Sequence, residues 1–238
     1  MALLHAAQGA AVLLLSTNFK LPITGSYLRL DHSSQHLVAA SNTLFNMPLV
    51  WLIATFFFIS ALFHLAIATF YNKTYVANLS KGINKARWVE YSLSASIMMV
   101  AIAMLVGIYD AMSLLLIAVL VAVMNLLGLG MEVYNQGRDK VNWLAFNIGS
   151  LAGIAPWIAV AFYIWYSSHN GSSPPTFVYW IFVSIFVFFS CFALNMYLQY
   201  RKIGKWANYL YGERMYIILS LVAKSLLAWQ VFAGTLRP

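Results

Sequence analysis

The sequence predicts an all-α membrane protein: a bundle of seven transmembrane helices, with a short outer β-hairpin between the first two. Three observations predict it. The 238 residues are 62% hydrophobic and 8% charged, with a mean hydropathy of +0.77, a composition of the membrane class and not of a soluble core. Seven apolar runs of about 20 residues can be marked, which is the length that crosses a bilayer. Lysines and arginines gather in alternate links between those runs.

The predicted spans are residues 2–19, 47–70, 88–109, 111–135, 142–168, 175–200 and 209–235, one membrane domain over residues 1–238. The first run begins almost at Met1 and lacks the basic leader of a signal peptide, so it is expected to be a retained helix. Between the first two spans, residues 23–30 and 35–41 flank the polar stretch Asp31-His32-Ser33-Ser34, the pattern of a short β-hairpin; an irregular loop is the alternative. The third and fourth spans nearly abut at Asp110, which is expected to mark a tight turn. The link at residues 167–175 is a plain connector rich in turn residues.

Orientation follows from the basic residues. Lys73, Lys81, Lys85 and Arg87 lie between spans two and three, Arg138 and Lys140 between four and five, and Arg201, Lys202, Lys205 and Arg214 around the link between six and seven. The other side carries Lys20, Arg29 and Arg237. The positive-inside rule puts the N-terminus in the cytoplasm and the C-terminus outside the cell membrane. A net charge of +8 would point a soluble protein towards nucleic acid, but here the link positions account for it and no nucleic-acid partner is expected. The single cysteine, Cys191, excludes an internal disulfide, and the cysteine and histidine spacings give no zinc pattern.

Lys224 is the residue that points to chemistry. It lies in an apolar stretch, residues 216–232, with no other charge. A charged lysine at the bilayer centre costs roughly 2.5–3.5 kcal/mol on insertion scales, so it needs a partner, a wet cavity or a covalent modification. A desolvated lysine is also the amine that forms Schiff bases with carbonyl compounds. Glu90 is the one obvious carboxylate to balance it. It lies early in the third span, in Arg87-Trp88-Val89-Glu90-Tyr91-Ser92, and shares a helix face with Ser94 and with Ile97 or Met98. The alternative for Glu90 is an interfacial helix-start residue paired with Arg87. Ser220, one turn before Lys224, can hydrogen-bond near the amine but carries no charge. Glu132 and Glu213 lie nearer the cytoplasmic ends and are expected to pair at the loop side. His5, with Gln8 on the first span, and His64, in the middle of the second, are intramembrane polar groups; each is either a proton-relay residue or a neutral, hydrogen-bonded one.

The stretches Arg87-Trp88-Val89-Glu90-Tyr91-Ser92 and Ser220-Leu221-Val222-Ala223-Lys224-Ser225, together with Asn195-Met196-Tyr197-Leu198-Gln199-Tyr200 and Tyr209-Leu210-Tyr211-Gly212-Glu213, resemble the heliorhodopsin family of retinal photoreceptors. The resemblance runs over the whole chain, including the hairpin and an orientation opposite to that of other rhodopsins. It implies all-trans retinal bound covalently to Lys224, with Glu90 as sole counterion and Arg87 capping the counterion side. Tyr91, Ser94, Met98 and Ser220 join the retinal-binding set. Met124 and Gly128, spaced i, i+4, are expected where the fourth helix meets the polyene, and Phe189 where pumps carry a tryptophan. Ordinary helix packing is the alternative for Met124 and Phe189. The resemblance also places His5, Gln8 and His64, with Arg87, in a polar cavity that accepts the Schiff-base proton. It further implies a homodimer and a cytoplasmic signalling partner.

A proton pump needs carboxylates on both sides of the Schiff base. Three turns beyond Glu90 stands Ala101, and beyond Lys224 the seventh span shows Leu227, Ala228 and Val231, so the outer half is expected to be dry. The leading function is therefore a light sensor, with a light-gated proton or ion channel as the alternative. An enzyme that uses Lys224 covalently ranks third, because no convincing set of further acid–base groups accompanies that lysine.

Overall fold

The computed structural model describes residues 1–238 and is almost entirely helical. In chain order it contains α1 (Ala2–Leu15), strands β1 (Lys20–Asp31) and β2 (His36–Pro48), then α2 (Leu49–Ala68), α3 (Asn72–Leu79), α4 (Lys85–Leu105), α5 (Ala111–Tyr134), α6 (Leu144–His169), α7 (Thr176–Tyr200) and α8 (Tyr209–Val231). A 3₁₀ turn, Gly204–Ala207, precedes α8, and a π turn, Phe232–Leu236, follows it. Six helices, α2 and α4 to α8, are long and apolar enough to cross a membrane.

Two boundaries differ from the sequence expectation in ways that matter. The first run, expected over 2–19, is helical only to Leu15. At 1.5 Å per residue its 14 residues span about 21 Å, short of a hydrocarbon core of about 30 Å. Ser16 is extended at φ −89°, ψ 148°, and the run Ser16-Thr17-Asn18 carries short polar side chains that compete with helix hydrogen bonding. The Thr17 amide instead donates to the Leu236 carbonyl at 2.7 Å, tying this link to the C-terminal turn. The third run, expected to reach residue 109, leaves the helix at Leu105, and Gly107 adopts φ +99°, a conformation that favours glycine.

Asp110 consequently does not sit in a tight turn between abutting helices. It caps α5, accepting from the Ser113 amide and hydroxyl, both at 3.0 Å. Its other carboxylate oxygen accepts from Ser26 of β1 at 3.1 Å. These hydrogen bonds, those from Ser113 foremost, hold the Asp110 carboxyl below the usual carboxylate range. The neighbouring Thr24 amide donates to the Tyr109 carbonyl at 2.8 Å, so one short link docks the hairpin on the bundle.

The hairpin is longer than its turn signals suggest. Lys20 pairs with Pro48 at one end and Asp31 with His36 at the other, with a register irregularity at Ile23/Thr24. The second strand runs through Leu44, Phe45 and Met47 directly into α2, which hides its end from a reading based on turn residues. Asp31 closes the turn by accepting from the Ser33 amide and hydroxyl and from the Ser34 hydroxyl, and the Ser33 bonds foremost lower its pKa. The helix α3 is absent from the sequence expectation. None of its residues is buried, so it leaves no apolar periodicity to detect.

Burial divides the bundle along its length. The larger apolar core includes Val12, Ile53, Phe57, Ala101, Ile102, Ile185, Leu227, Ala228 and Val231. A smaller aromatic cluster, Trp88, Tyr91, Met131, Met196 and Tyr216, lies towards the opposite end, where Asn84, Arg87, Glu132, Asn195, Gln199 and Glu213 are also buried. Replacing Asp110 by Ala removes the α5 cap and the tie to Ser26. Backbone amides of residues 23–27 are expected to exchange hydrogen faster in this variant while those of α7 keep their protection, as read by hydrogen–deuterium exchange mass spectrometry; equal protection would show that the hairpin docks without Asp110.

Candidate functional site

Helix α4 carries the acidic half of the site. Asn84 caps it, its side-chain oxygen accepting from the Arg87 amide at 3.0 Å. This start sets Glu90 one turn deeper than Arg87, facing inward. On α8, Lys224 is 2% exposed, and its Nζ donates to Glu90 Oε1 at 2.9 Å and to Ser220 Oγ at 2.7 Å. The two side chains therefore form a buried ion pair, with side-chain exposures of 3% and 8%. Removing one partner of such a pair leaves an uncompensated charge, typically at a cost of about 3–5 kcal/mol.

A third helix completes the pair. Ser60 of α2 lies 2.6 Å from Glu90 Oε1 and can donate to it, with the Phe56 carbonyl at 3.0 Å as the alternative acceptor. Sequence reasoning missed Ser60, although it precedes His64 by one helical turn on the same face, and that spacing was an available signal. Ser94, one turn beyond Glu90, is fully buried and its hydroxyl has no partner.

Lys224, Ser220, Tyr91, Ser94, Met98, Met124, Gly128 and Phe189 all line one cavity of about 120 Å³, so these eight expected residues come together. Tyr91 donates its hydroxyl to the Tyr216 carbonyl at 2.8 Å and sets its ring 5.3 Å from Lys224 Nζ. Trp88 and Phe192 also form the wall, and neither was singled out from sequence. Gly128 has a steric reason to be glycine: a Cβ there would strike the Trp88 ring. On α6, a Cβ at Gly153 would likewise strike the Met124 sulfur.

The histidines form a separate pair. His5 is 1% exposed, and its ring stacks on that of His64 with centroids 5.5 Å apart and planes 10° from parallel. His5 Nδ1 is buried without a partner. Gln8 turns instead towards α8, accepting from Trp229 Nε1 at 3.2 Å.

Arg87 departs from both sequence expectations, since it neither pairs with Glu90 nor caps the counterion side. Its Nη2 binds Glu132 and Glu213, the latter at 2.9 Å, while its Nε donates to Glu213 at 3.2 Å. Its guanidinium carbon lies 3.7 Å from the Tyr216 ring centre and 4.1 Å from that of Trp88. Glu132 and Glu213, expected to pair at the loop side, both pair with Arg87 near that end of the bundle, but inside it: they are 3% and 4% exposed. The Asn84 amide and side chain bridge them, at 2.8 Å and 2.6 Å.

The sequence profile of the heliorhodopsin family matches residues 1–236. The chain belongs to the heliorhodopsin family. Its six long apolar helices make it a multi-pass membrane protein, and membership makes it a retinal-binding, light-sensing rhodopsin. No curated protein matches the chain. The residues of this heliorhodopsin fit retinal chemically. A primary amine able to condense with an aldehyde lines an apolar cavity, and a carboxylate stands beside it to balance charge.

Proposed function

We propose that this heliorhodopsin is a photosensor that carries all-trans retinal covalently on Lys224, as a protonated Schiff base with Glu90 as counterion. It signals from a cytoplasmic face, as a homodimer, to a partner at that face. The buried Lys224–Glu90 pair, whose lysine lines the apolar cavity, carries this reading. Bound there, retinal supplies absorption of visible light and isomerisation. The chain's own groups do the rest. Glu90 balances the positive charge at the nitrogen, and the Ser60 and Ser220 hydroxyls orient the pair. Met98, Met124 and Phe189 exclude water from the cavity. His5 and His64, stacked and inside the bundle, are the groups available to take up a proton released from Nζ.

The proposed orientation, N-terminus in the cytoplasm, is supported by the exposed cations that crowd one end of the bundle: Lys73, Lys81, Lys85, Arg138, Lys140, Arg201, Lys202, Lys205 and Arg214, against a single exposed acid, Asp139. Signalling is favoured over transport by the dry core at the other end. Ala101, Leu227, Ala228 and Val231 are fully buried there among apolar neighbours, and no carboxylate interrupts them to carry a proton outward.

Three outcomes are expected. Purified protein given retinal forms a visible pigment, and Lys224→Ala stays colourless; Glu90→Gln either absorbs at longer wavelength or loses its proton. A coloured Lys224→Ala protein, or an unshifted Glu90→Gln spectrum and titration, would remove the respective assignment. Illuminated cell suspensions show no sustained pH change sensitive to a protonophore, and voltage-clamped membranes carry no steady photocurrent. A persistent pH change would mean a pump, and a reversing steady current would mean the channel. Replacing both His5 and His64 by Phe leaves the pigment coloured but alters the decay of the deprotonated photointermediate by about tenfold or more in flash photolysis, with smaller effects for the single variants. Unchanged kinetics in the double variant would return both histidines to packing roles.

A further inference from the structure

Helices α4 and α8 start from the same end of the bundle and run in the same direction, and two buried ion pairs join them. Glu90–Lys224 is one. Arg87–Glu213 is the other, set one turn from Glu90 on α4 and 11 residues before Lys224 on α8. At 1.5 Å per residue the α8 anchors stand about 16 Å apart along the axis. Lys224 closes about 6 Å of that gap by reaching back to the level of Ser220, 2.7 Å from its Nζ.

The second pair is built for precision. Arg87 offers Nε and Nη2 to the two oxygens of Glu213, at 3.2 Å and 2.9 Å, with both side chains 5% exposed. A forked arginine–carboxylate pair constrains orientation as well as distance, which a lysine ammonium cannot do. The guanidinium also packs on the Tyr216 ring, and the Tyr216 carbonyl in turn accepts the Tyr91 hydroxyl at 2.8 Å. Arg87, Glu90 and Tyr91 on α4 thus grip Glu213, Tyr216 and Lys224 on α8, three contacts within little more than one turn of α4. A slide or rotation of α8 against α4 would strain these contacts together.

We propose that Arg87 and Glu213 are positioning residues that set the register of α8 against α4, and through it the separation between Lys224 Nζ and the Glu90 carboxylate. Neither touches the reacting nitrogen. This inference rests on Lys224 being the retinal-bearing lysine. Glu132 supplies the internal control, because it places the same carboxylate charge on the same guanidinium but belongs to α5.

The test compares the retinal-reconstituted full-length protein with three variants. It uses the absorption maximum and the hydrogen/deuterium shift of the C=N stretch in resonance Raman spectra, which reads the hydrogen bond from nitrogen to counterion. Glu213→Gln is expected to move absorption to longer wavelength and shrink the isotope shift, as the counterion lies farther from the nitrogen. Arg87→Lys keeps the charge and loses the fork, so it moves both readouts in the same direction. Glu132→Gln leaves both at wild-type values. If Glu213→Gln fails to fold, Arg87→Lys against Glu132→Gln decides. Wild-type readouts in Arg87→Lys and Glu213→Gln overturn the proposal. So does a Glu132→Gln shift as large as that of Glu213→Gln, because the effect would then come from charge and not from register. Failure of the wild-type protein to form pigment, or colour in Lys224→Ala, would instead overturn the retinal reading beneath it.

Discussion

An ammonium group held inside an apolar bundle is tolerated only while an opposite charge stands within hydrogen-bond reach, and Lys224 with Glu90 meets that condition at 2.9 Å. Much of the surrounding structure serves it. Glu90 cannot turn to water, so α2 brings Ser60 to its carboxylate and α8 brings Ser220 to the amine. The pair also bars α4 and α8 from moving apart freely, because separation would leave two buried charges unmatched. A lysine in this state is a stability constraint on the bundle. In the proposed retinal pigment, Glu90 would balance the positive charge of the protonated Schiff base as it now balances the ammonium.

The bundle is polar towards one end and apolar towards the other. Arg87, Glu132, Glu213, Asn84, Asn195 and Gln199 are buried at the end where the exposed cations lie, and the Arg87 charge is balanced there by the two carboxylates. At the other end, Ala101, Leu227, Ala228 and Val231 offer no donor or acceptor beyond their backbones. In the proposed mechanism, a proton released from the Lys224 nitrogen would meet imidazole nitrogens at His5 and His64 and none in the dry half. The same asymmetry would give the proposed light-induced rearrangement an outlet at the cation-rich end.

The hairpin shows how a surface element can be tied into a membrane bundle by few contacts. Asp110 serves two elements at once, capping α5 with one oxygen and holding Ser26 with the other. The early end of α4 and the left-handed Gly107 leave a link of five residues that brings Tyr109 and Asp110 to β1. A helix continuing to residue 109 would have left no such link.

Charge within apolar stretches and the length of those stretches are properties of sequence alone. That is why the helical membrane class, Lys224 and Glu90 are legible in the amino-acid sequence, while turn residues mark the hairpin and the family resemblance supplies eight of the 19 residues that line the cavity, among them Ser94, Met98, Met124, Gly128 and Phe189. Helix facing is not. Arg87 lies three residues from Glu90, and local spacing makes it that residue's natural neighbour, yet it pairs with Glu132 and Glu213, 45 and 126 residues away. Trp88 escapes a sequence reading for the same reason, since it shapes the cavity only because Gly128 of another helix makes room for its ring. In helices that are apolar nearly all round, periodicity does not say which side meets which neighbour. Rotation about each helix axis is set by packing and charge pairing across the whole bundle, so the choice of partner belongs to the tertiary structure.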